Sequence, residues 1–66
     1  MNCLKLKAKI VEAGFNVAQF ADEIEIDRST MYRKLNDGEK FTVREAQKIK
    51  DVLNLTSDEA SAIFFE

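Results

Sequence analysis

The sequence predicts an all-α fold of five short helices in a single domain that spans residues 1–66. Three observations support this prediction. Proline is absent, helix-forming residues recur with a 3.6-residue apolar period, and at three predicted helix starts Asn or Thr stands three positions before Gln or Glu, as in a capping box. A chain this short buries about 60% of the surface that it exposes when unfolded, so we expect one small core.

The first predicted helix covers residues 4–13. Gly14 follows it, at the position where a left-handed residue closes a helix. The apolar residues predict one buried stripe with two neighbours beside it, namely Cys3, Leu6, Ile10 and Ala13, beside Leu4 and Val11.

The second predicted helix begins after the N-cap Asn16, which is spaced as a capping box with Gln19. Phe15 and Phe20 are spaced as a hydrophobic staple across the same start. The helix then uses a set of apolar residues on its inner side: Ala18, Phe20, Ala21 and Ile24.

The third predicted helix covers residues 28–36, with Asp27 as its N-cap. Its inward residues are Met31 and Leu35. It ends at the Asn-Asp-Gly turn signal of residues 36–38.

Two more capping boxes, Thr42 with Glu45 and Thr56 with Glu59, predict the starts of the fourth and fifth helices. Asn54 is a plausible C-cap between them. The apolar positions of these helices are Val43, Ala46, Ile49, Val52 and Leu53, followed by Ala60, Ile63 and Phe64.

The composition narrows the class of protein. Apolar residues make up 45% and charged residues 33% of the chain, which is typical of a globular protein and not of a disordered tail. No apolar run approaches 18 residues, and residues 1–7 lack the apolar stretch of a signal peptide, so we expect no membrane association. The single cysteine, Cys3, cannot form an internal disulfide, which favours a cytoplasmic location.

The residue types also favour binding over catalysis. Histidine is absent, Cys3 has no base near it in sequence, and the two glycines, Gly14 and Gly38, form no phosphate-binding loop. The carboxylates are scattered over predicted solvent-facing positions. We therefore expect no enzyme, no cofactor and no metal.

The second helix, the turn and the third helix form the part of the chain that predicts function. Two helices joined by three or four residues cross at a steep angle, which requires a small residue at the crossing, and Ala21 supplies it. When Met31 and Leu35 face the core, the third helix must expose side chains that can hydrogen-bond to base edges or phosphates: Arg28, Ser29, Tyr32 and Arg33.

Residues 16–36, NVAQFADEIEIDRSTMYRKLN, resemble the phage repressor and Cro-type helix-turn-helix family, and the spacing Phe-Ala-x-x-Ile-x-Ile-x-Arg-Ser-Thr-Met carries the resemblance. The five-helix plan and the closing Ile-Phe-Phe extend it over essentially the whole chain. The resemblance implies a lambda-repressor-like fold and a sequence-specific transcriptional regulator of phage or prophage type. Its recognition helix would lie in the major groove of a double-stranded operator with two-fold symmetry, bound by a homodimer.

The resemblance also implies roles for individual residues. Base contact falls on Arg28, Ser29, Tyr32 and Arg33, and phosphate contact falls around Asn16, Lys34, Lys40 and Thr42. The glutamine that often opens the second helix in this family is replaced by Val17, with Asn16 and Gln19 as substitutes.

The net charge of −2 is unusual for a protein that approaches DNA, but the charges are segregated along the chain. Residues 1–10 hold three lysines and no acid, and residues 11–27 hold five acids and no base. Residues 28–50 hold seven bases against three acids, and residues 51–66 hold four acids. The base-rich segments therefore include the predicted recognition helix.

Other interpretations of the same residues stay open at this point. Arg28 is either a solvated residue or a partner of Glu25, Ser29 supports the helix start, and Tyr32 packs on the fourth helix. The lysines are then simply solvated.

The C-terminal apolar residues favour an alternative function. Ile63, Phe64 and Phe65 are core and tail in the simplest interpretation. Two adjacent phenylalanines cannot both face inward on one helix, so at least one is exposed and could contact a partner. The alternative is therefore a protein–protein interaction module of the same fold, such as an antirepressor or a modulator of another regulator.

The turn between the second and third helices gives a first testable prediction. The family usually has glycine where this chain has Glu25, and a left-handed conformation costs a non-glycine residue about 1 kcal/mol. We predict that Glu25→Gly raises the Tm in a thermal melt. An unchanged or lower Tm would argue against this placement of the turn.

Overall fold

The structure, a computed structural model, describes residues 1–65, and these residues form five α-helices and no strand. The helices are α1 (Cys3–Glu12), α2 (Val17–Glu23), α3 (Arg28–Asp37), α4 (Val43–Leu53) and α5 (Ser57–Phe64). The predicted all-α class and helix order are confirmed, with ends within one or two residues of those expected. None of these helices combines the length and apolar character that a membrane crossing requires.

Every helix begins with a side chain that accepts a hydrogen bond from a backbone N–H of its first turn. The three predicted capping boxes are confirmed with both of their hydrogen bonds, and they pair Asn16 with Gln19, Thr42 with Glu45, and Thr56 with Glu59. Asn2 caps α1 and Asp27 caps α3 through a single bond each. These caps satisfy N–H groups that have no partner inside the helix, so the sequence specifies each start locally.

Left-handed residues follow four of the helices. Gly14 (φ 89°) and Gly38 (φ 71°) follow α1 and α3, and Asn54 (φ 53°) ends α4 as predicted. Glu25, with φ 59°, confirms that the turn between α2 and α3 places a non-glycine residue in the left-handed region. The strain assumed for the Glu25→Gly prediction is therefore present.

The central core gathers side chains from all five helices and from the segment before α5. Phe20 is fully buried, and Phe15 packs edge-on against it with ring centroids 5.5 Å apart, which confirms the predicted staple. Among the described residues, the buried apolar side chains are Leu6, Ile10, Phe20, Ala21, Ile24, Met31, Leu35, Ile49, Leu55 and Ile63.

Three apolar residues predicted to be inward or beside the inward stripe are exposed instead. Leu4 is 81% and Val11 70% exposed on α1, and Val43 is 88% exposed at the start of α4. Side chains rotate by about 100° per residue around a helix, so Leu4 and Val11 point away from the Leu6–Ile10 stripe. So small a core covers one narrow side of each helix, and Val43 lies about 120° from the buried Ile49. Ala13, also predicted inward, is exposed because α1 ends before it.

The segment that starts α1 and helix α5 are joined by a hydrogen bond and an ion pair. The N–H of Asn2 donates to the carbonyl of Ile63 over 2.7 Å, and the ammonium of Lys9 on α1 lies 2.5 Å from the Glu59 carboxylate on α5. The hydrogen bond from Lys9, together with that from the backbone N–H of the N-cap Thr56, lowers the pKa of Glu59 from 4.5 to about 2. This ion pair therefore ties α5 to α1 across the whole length of the sequence.

The Lys9–Glu59 pair predicts a pH dependence of stability. The Glu59 pKa is lower in the folded chain than its ordinary value of 4.5, so its contribution is present above pH 4.5 and is lost as the pH falls toward 2. We expect the Tm of Glu59→Gln to fall less steeply than that of the parent between pH 4.5 and 2. Asp58→Asn, on the same exposed turn, should keep the parent's slope, and equal slopes for all three proteins would contradict this account.

Candidate nucleic-acid interface

Helix α3 is anchored on one side and exposed on the other. Met31 and Leu35 are almost completely buried in the core. The four residues predicted to contact bases are all exposed: Arg28, Ser29, Tyr32 and Arg33. Tyr32 is 46% exposed, so part of its ring is covered while the rest is accessible. A polar surface on a firmly packed helix is thus available to a ligand along α3.

The turn after α2 sets the direction of α3. Ala21 has no exposed surface, and its carbonyl accepts a hydrogen bond from the N–H of Ile26 over 2.9 Å. Ile24 is buried beside it, and the carboxylate of Asp27 accepts the N–H of Thr30 to start α3. A larger side chain at Ala21 would have no room, so the small residue allows α2 and α3 to pack closely.

Arg28 is held by two hydrogen bonds to Asp22 on α2. Its Nε lies 3.1 Å from Oδ1 and its Nη2 2.5 Å from Oδ2. The partner is therefore Asp22 and not Glu25, which instead lies 3.7 Å from the ammonium of Lys48. The hydrogen bond from Arg28 keeps the pKa of Asp22 below its ordinary value, so this carboxylate is ionised at neutral pH.

The other two bases of α3 are also paired with acids, in different surroundings. Arg33 donates through Nε alone to Glu39 over 2.9 Å, and both side chains are about half exposed. Lys34 has a side chain that is 12% exposed, and its ammonium donates to Glu45 over 2.8 Å and lies 5.3 Å from the centroid of the Phe41 ring. Lys34 therefore joins α3 to the start of α4, which leaves it less available for the predicted phosphate contact.

The remaining predicted phosphate contacts lie at helix starts. The side-chain oxygens of Asn16, Gln19 and Thr42 are used in capping boxes, over distances of 2.8–3.1 Å. All three residues are exposed, and the side-chain NH2 groups of Asn16 and Gln19 make no hydrogen bond within residues 1–65. The exposed Lys40 makes no ion pair within the same residues. These groups are therefore accessible to an anion.

A second surface lies between α4 and α5. The α4–α5 groove has a volume of about 410 Å³, and its apolar lining includes Phe41, Val43, Ala60, Phe64 and Phe65. Phe65 is 86% exposed, as the argument from adjacent phenylalanines predicts, and Phe64 is half-buried with its ring 6.2 Å from that of Phe41. Ile63 was predicted to belong to this partner surface, but that prediction is wrong. The side chain is fully buried in the core and does not line the groove.

Two acids that shape the α3 surface were not predicted from the sequence. Asp22 lies six residues before Arg28, and Glu39 lies six residues after Arg33. A separation of six matches no pairing on a single helix, where partners are three or four residues apart. Each pair forms across a turn, so no periodic signal in the sequence could have identified it.

No protein-family model matches the chain, and no curated protein or solved structure matches it either. Within residues 1–65, no group of three or more Cys, Asp and Glu side chains is arranged to hold a metal ion. Function is therefore inferred from the side chains and contacts of the α3 surface.

The position of Lys34 gives a prediction about stability. Lys34→Ala removes the charged hydrogen bond to the half-buried Glu45 carboxylate, so we expect the free energy of unfolding to fall by about 1–3 kcal/mol. The matched control is Lys40→Ala, which truncates an exposed lysine and should change stability by less than about 0.5 kcal/mol. Urea denaturation of both variants measures the difference, and equal stabilities would show that Lys34 has no structural role.

Proposed function

We propose that this chain is a sequence-specific DNA-binding transcriptional regulator of the phage repressor and Cro type. In this proposal α2 and α3 form a lambda-repressor-like helix-turn-helix, and α3 lies in the major groove of double-stranded DNA. The observation that carries it is the anchoring of α3 by Met31 and Leu35 beneath four exposed polar side chains. Rigid packing of a reading helix gives base-contacting groups a fixed position, which sequence selection requires.

The charge distribution supports the proposal despite the net charge of −2. Residues 28–50 carry seven bases and three acids, so this segment is positive within an acidic chain. Within the described residues, Lys40, Arg44 and Lys50 have no acidic partner, while both arginines of the proposed reading surface have one. Few phosphates can then be neutralised at once, so we expect binding to be weak and to weaken further as the salt concentration rises.

A homodimer on a two-fold symmetric operator completes the proposal. One copy of α3 spans a few base pairs, and two copies placed one helical turn apart would read two half-sites. We assign no catalytic activity to the chain, since the proposed site needs none.

The α4–α5 groove favours a second candidate function, a protein–protein interaction module. Phe65 and Val43 expose apolar side chains beside a groove with an apolar lining. Exposed apolar side chains that adjoin a groove are a candidate contact site for a partner. The exposed polar surface of α3 has no role in this alternative, which is why we rank DNA binding first.

The proposal is tested by fluorescence anisotropy with mixed genomic DNA fragments at low and moderate salt. We expect the Kd of the parent to rise with salt, and Arg28→Ala and Arg33→Ala each to weaken binding by at least about fivefold. The control is Lys5→Ala, which removes one exposed positive charge from α1 and should weaken binding far less.

Two outcomes of the same experiment would contradict the proposal. If the folded parent binds no DNA at low salt, the proposal is wrong and the protein–protein function replaces it. Equal losses in all three variants would show a nonspecific charge effect and would remove α3 from the proposed interface.

A further inference from the structure

We infer that Asp22 is a positioning residue that orients Arg28 to read guanine, so that the operator carries a G·C pair opposite Arg28. This inference rests on the proposed DNA-binding function. It adds a base preference, and it assigns a role to an acidic residue on α2 that itself would touch no DNA.

The Arg28–Asp22 pair leaves part of the guanidinium free to bind another group. A guanidinium has five N–H donors, and the contacts from Nε and Nη2 of Arg28 to Asp22 use one on each atom. Three donors remain, two on Nη1 and one on Nη2. They form the end of the guanidinium, where two parallel N–H groups point outward.

The free end of the Arg28 guanidinium matches the acceptors of guanine. In the major groove, guanine presents two neighbouring acceptors, O6 and N7. Adenine presents one acceptor and one donor, and cytosine presents a donor. Two parallel donors therefore satisfy both groups of guanine and leave a mismatch with adenine or cytosine.

The pair with Asp22 also restricts the conformational freedom of the Arg28 side chain. A long arginine side chain that is free in solvent must lose many rotamers when it binds a base. Asp22 lies directly after the fully buried Ala21, so its backbone is well anchored on α2. Two bonds from this anchored carboxylate restrict the Arg28 guanidinium before DNA arrives, which lowers the cost of an oriented contact.

Arg33 provides an internal contrast. It meets Glu39 through Nε alone, and Glu39 lies in the loop between α3 and α4. One bond to a loop residue leaves the plane of the guanidinium free to turn. The base preference is therefore assigned to Arg28 and not to Arg33.

Loss of the Asp22 carboxylate should affect general DNA affinity and base selectivity differently. Asp22 is an acid near a phosphate-binding surface, so its removal should strengthen binding to DNA of any sequence. Its removal should also release Arg28 and weaken the preference for guanine. General affinity and base selectivity should therefore change in opposite directions.

The experiment selects bound sequences from a library of randomised double-stranded DNA, using the full chain. The proteins are the parent, Asp22→Asn, Arg28→Ala and the control Glu23→Gln, which removes an equal charge from the next residue, an exposed acid with no ion pair within residues 1–65. We expect the parent to enrich guanine about tenfold at one position of each half-site. Arg28→Ala should lose this enrichment, Asp22→Asn should reduce it to about threefold or less, and Glu23→Gln should keep it.

Two further readouts complete the test. The Kd for a duplex of unselected sequence should fall by a similar factor in Asp22→Asn and Glu23→Gln, since each loses one negative charge. An NMR titration of the Asp22 carboxyl group without DNA should show its pKa rising toward the ordinary value in Arg28→Ala. An unchanged pKa would show that the pair does not form and would overturn the inference.

The remaining outcomes separate the inference from the function on which it rests. If the parent binds DNA but Asp22→Asn keeps its full guanine enrichment, the inference is wrong and the proposed function stands. The same holds if the parent selects no base that depends on Arg28. If the parent binds no duplex even at low salt, both are wrong.

Discussion

The packing of α2 against α3 determines which side of α3 is buried and which side is exposed. Ala21 is fully buried at this contact, and Glu25 adopts a left-handed conformation so that the chain can turn between the two helices. The turn directs Met31 into the core, and the outer side of α3 is thereby exposed. A bulky residue at Ala21 would separate the helices, and the anchored polar surface on which the proposed function depends would be lost.

All three basic residues of α3 form ion pairs within this acidic chain. Each base of α3 meets an acid from another segment, but the surroundings differ. Lys34 is largely buried and joins two helices, whereas Arg28 and Arg33 are exposed and keep donors free. Exposed pairs contribute little to stability, about 0–1 kcal/mol each, so the role that we propose for the Arg28–Asp22 pair is orientation rather than folding.

The local sequence was sufficient to predict the elements of this fold. A capping box needs two residues three positions apart, so Asn16 with Gln19 and Thr42 with Glu45 can be identified without any tertiary contact. The left-handed residue at Glu25 followed from the resemblance to helix-turn-helix proteins, and the exposure of Phe65 followed from the geometry of adjacent residues on one helix. Helix order, helix starts and the exposed side of α3 are therefore properties of neighbouring residues.

Tertiary packing decided which apolar residues are buried and which charged residues form pairs, and the apolar periodicity of the sequence shows neither. Val43 and Ile49 look equally apolar in the sequence, yet one is 88% exposed and the other is fully buried, because a 66-residue chain covers one side of α4. Lys34 looked like a surface lysine until α4 brought Glu45 against it. Arg28 met Asp22 across a turn, at a separation that no helical pattern marks. Capping depends on residues three apart in the chain, whereas burial and ion pairing depend on which helices meet.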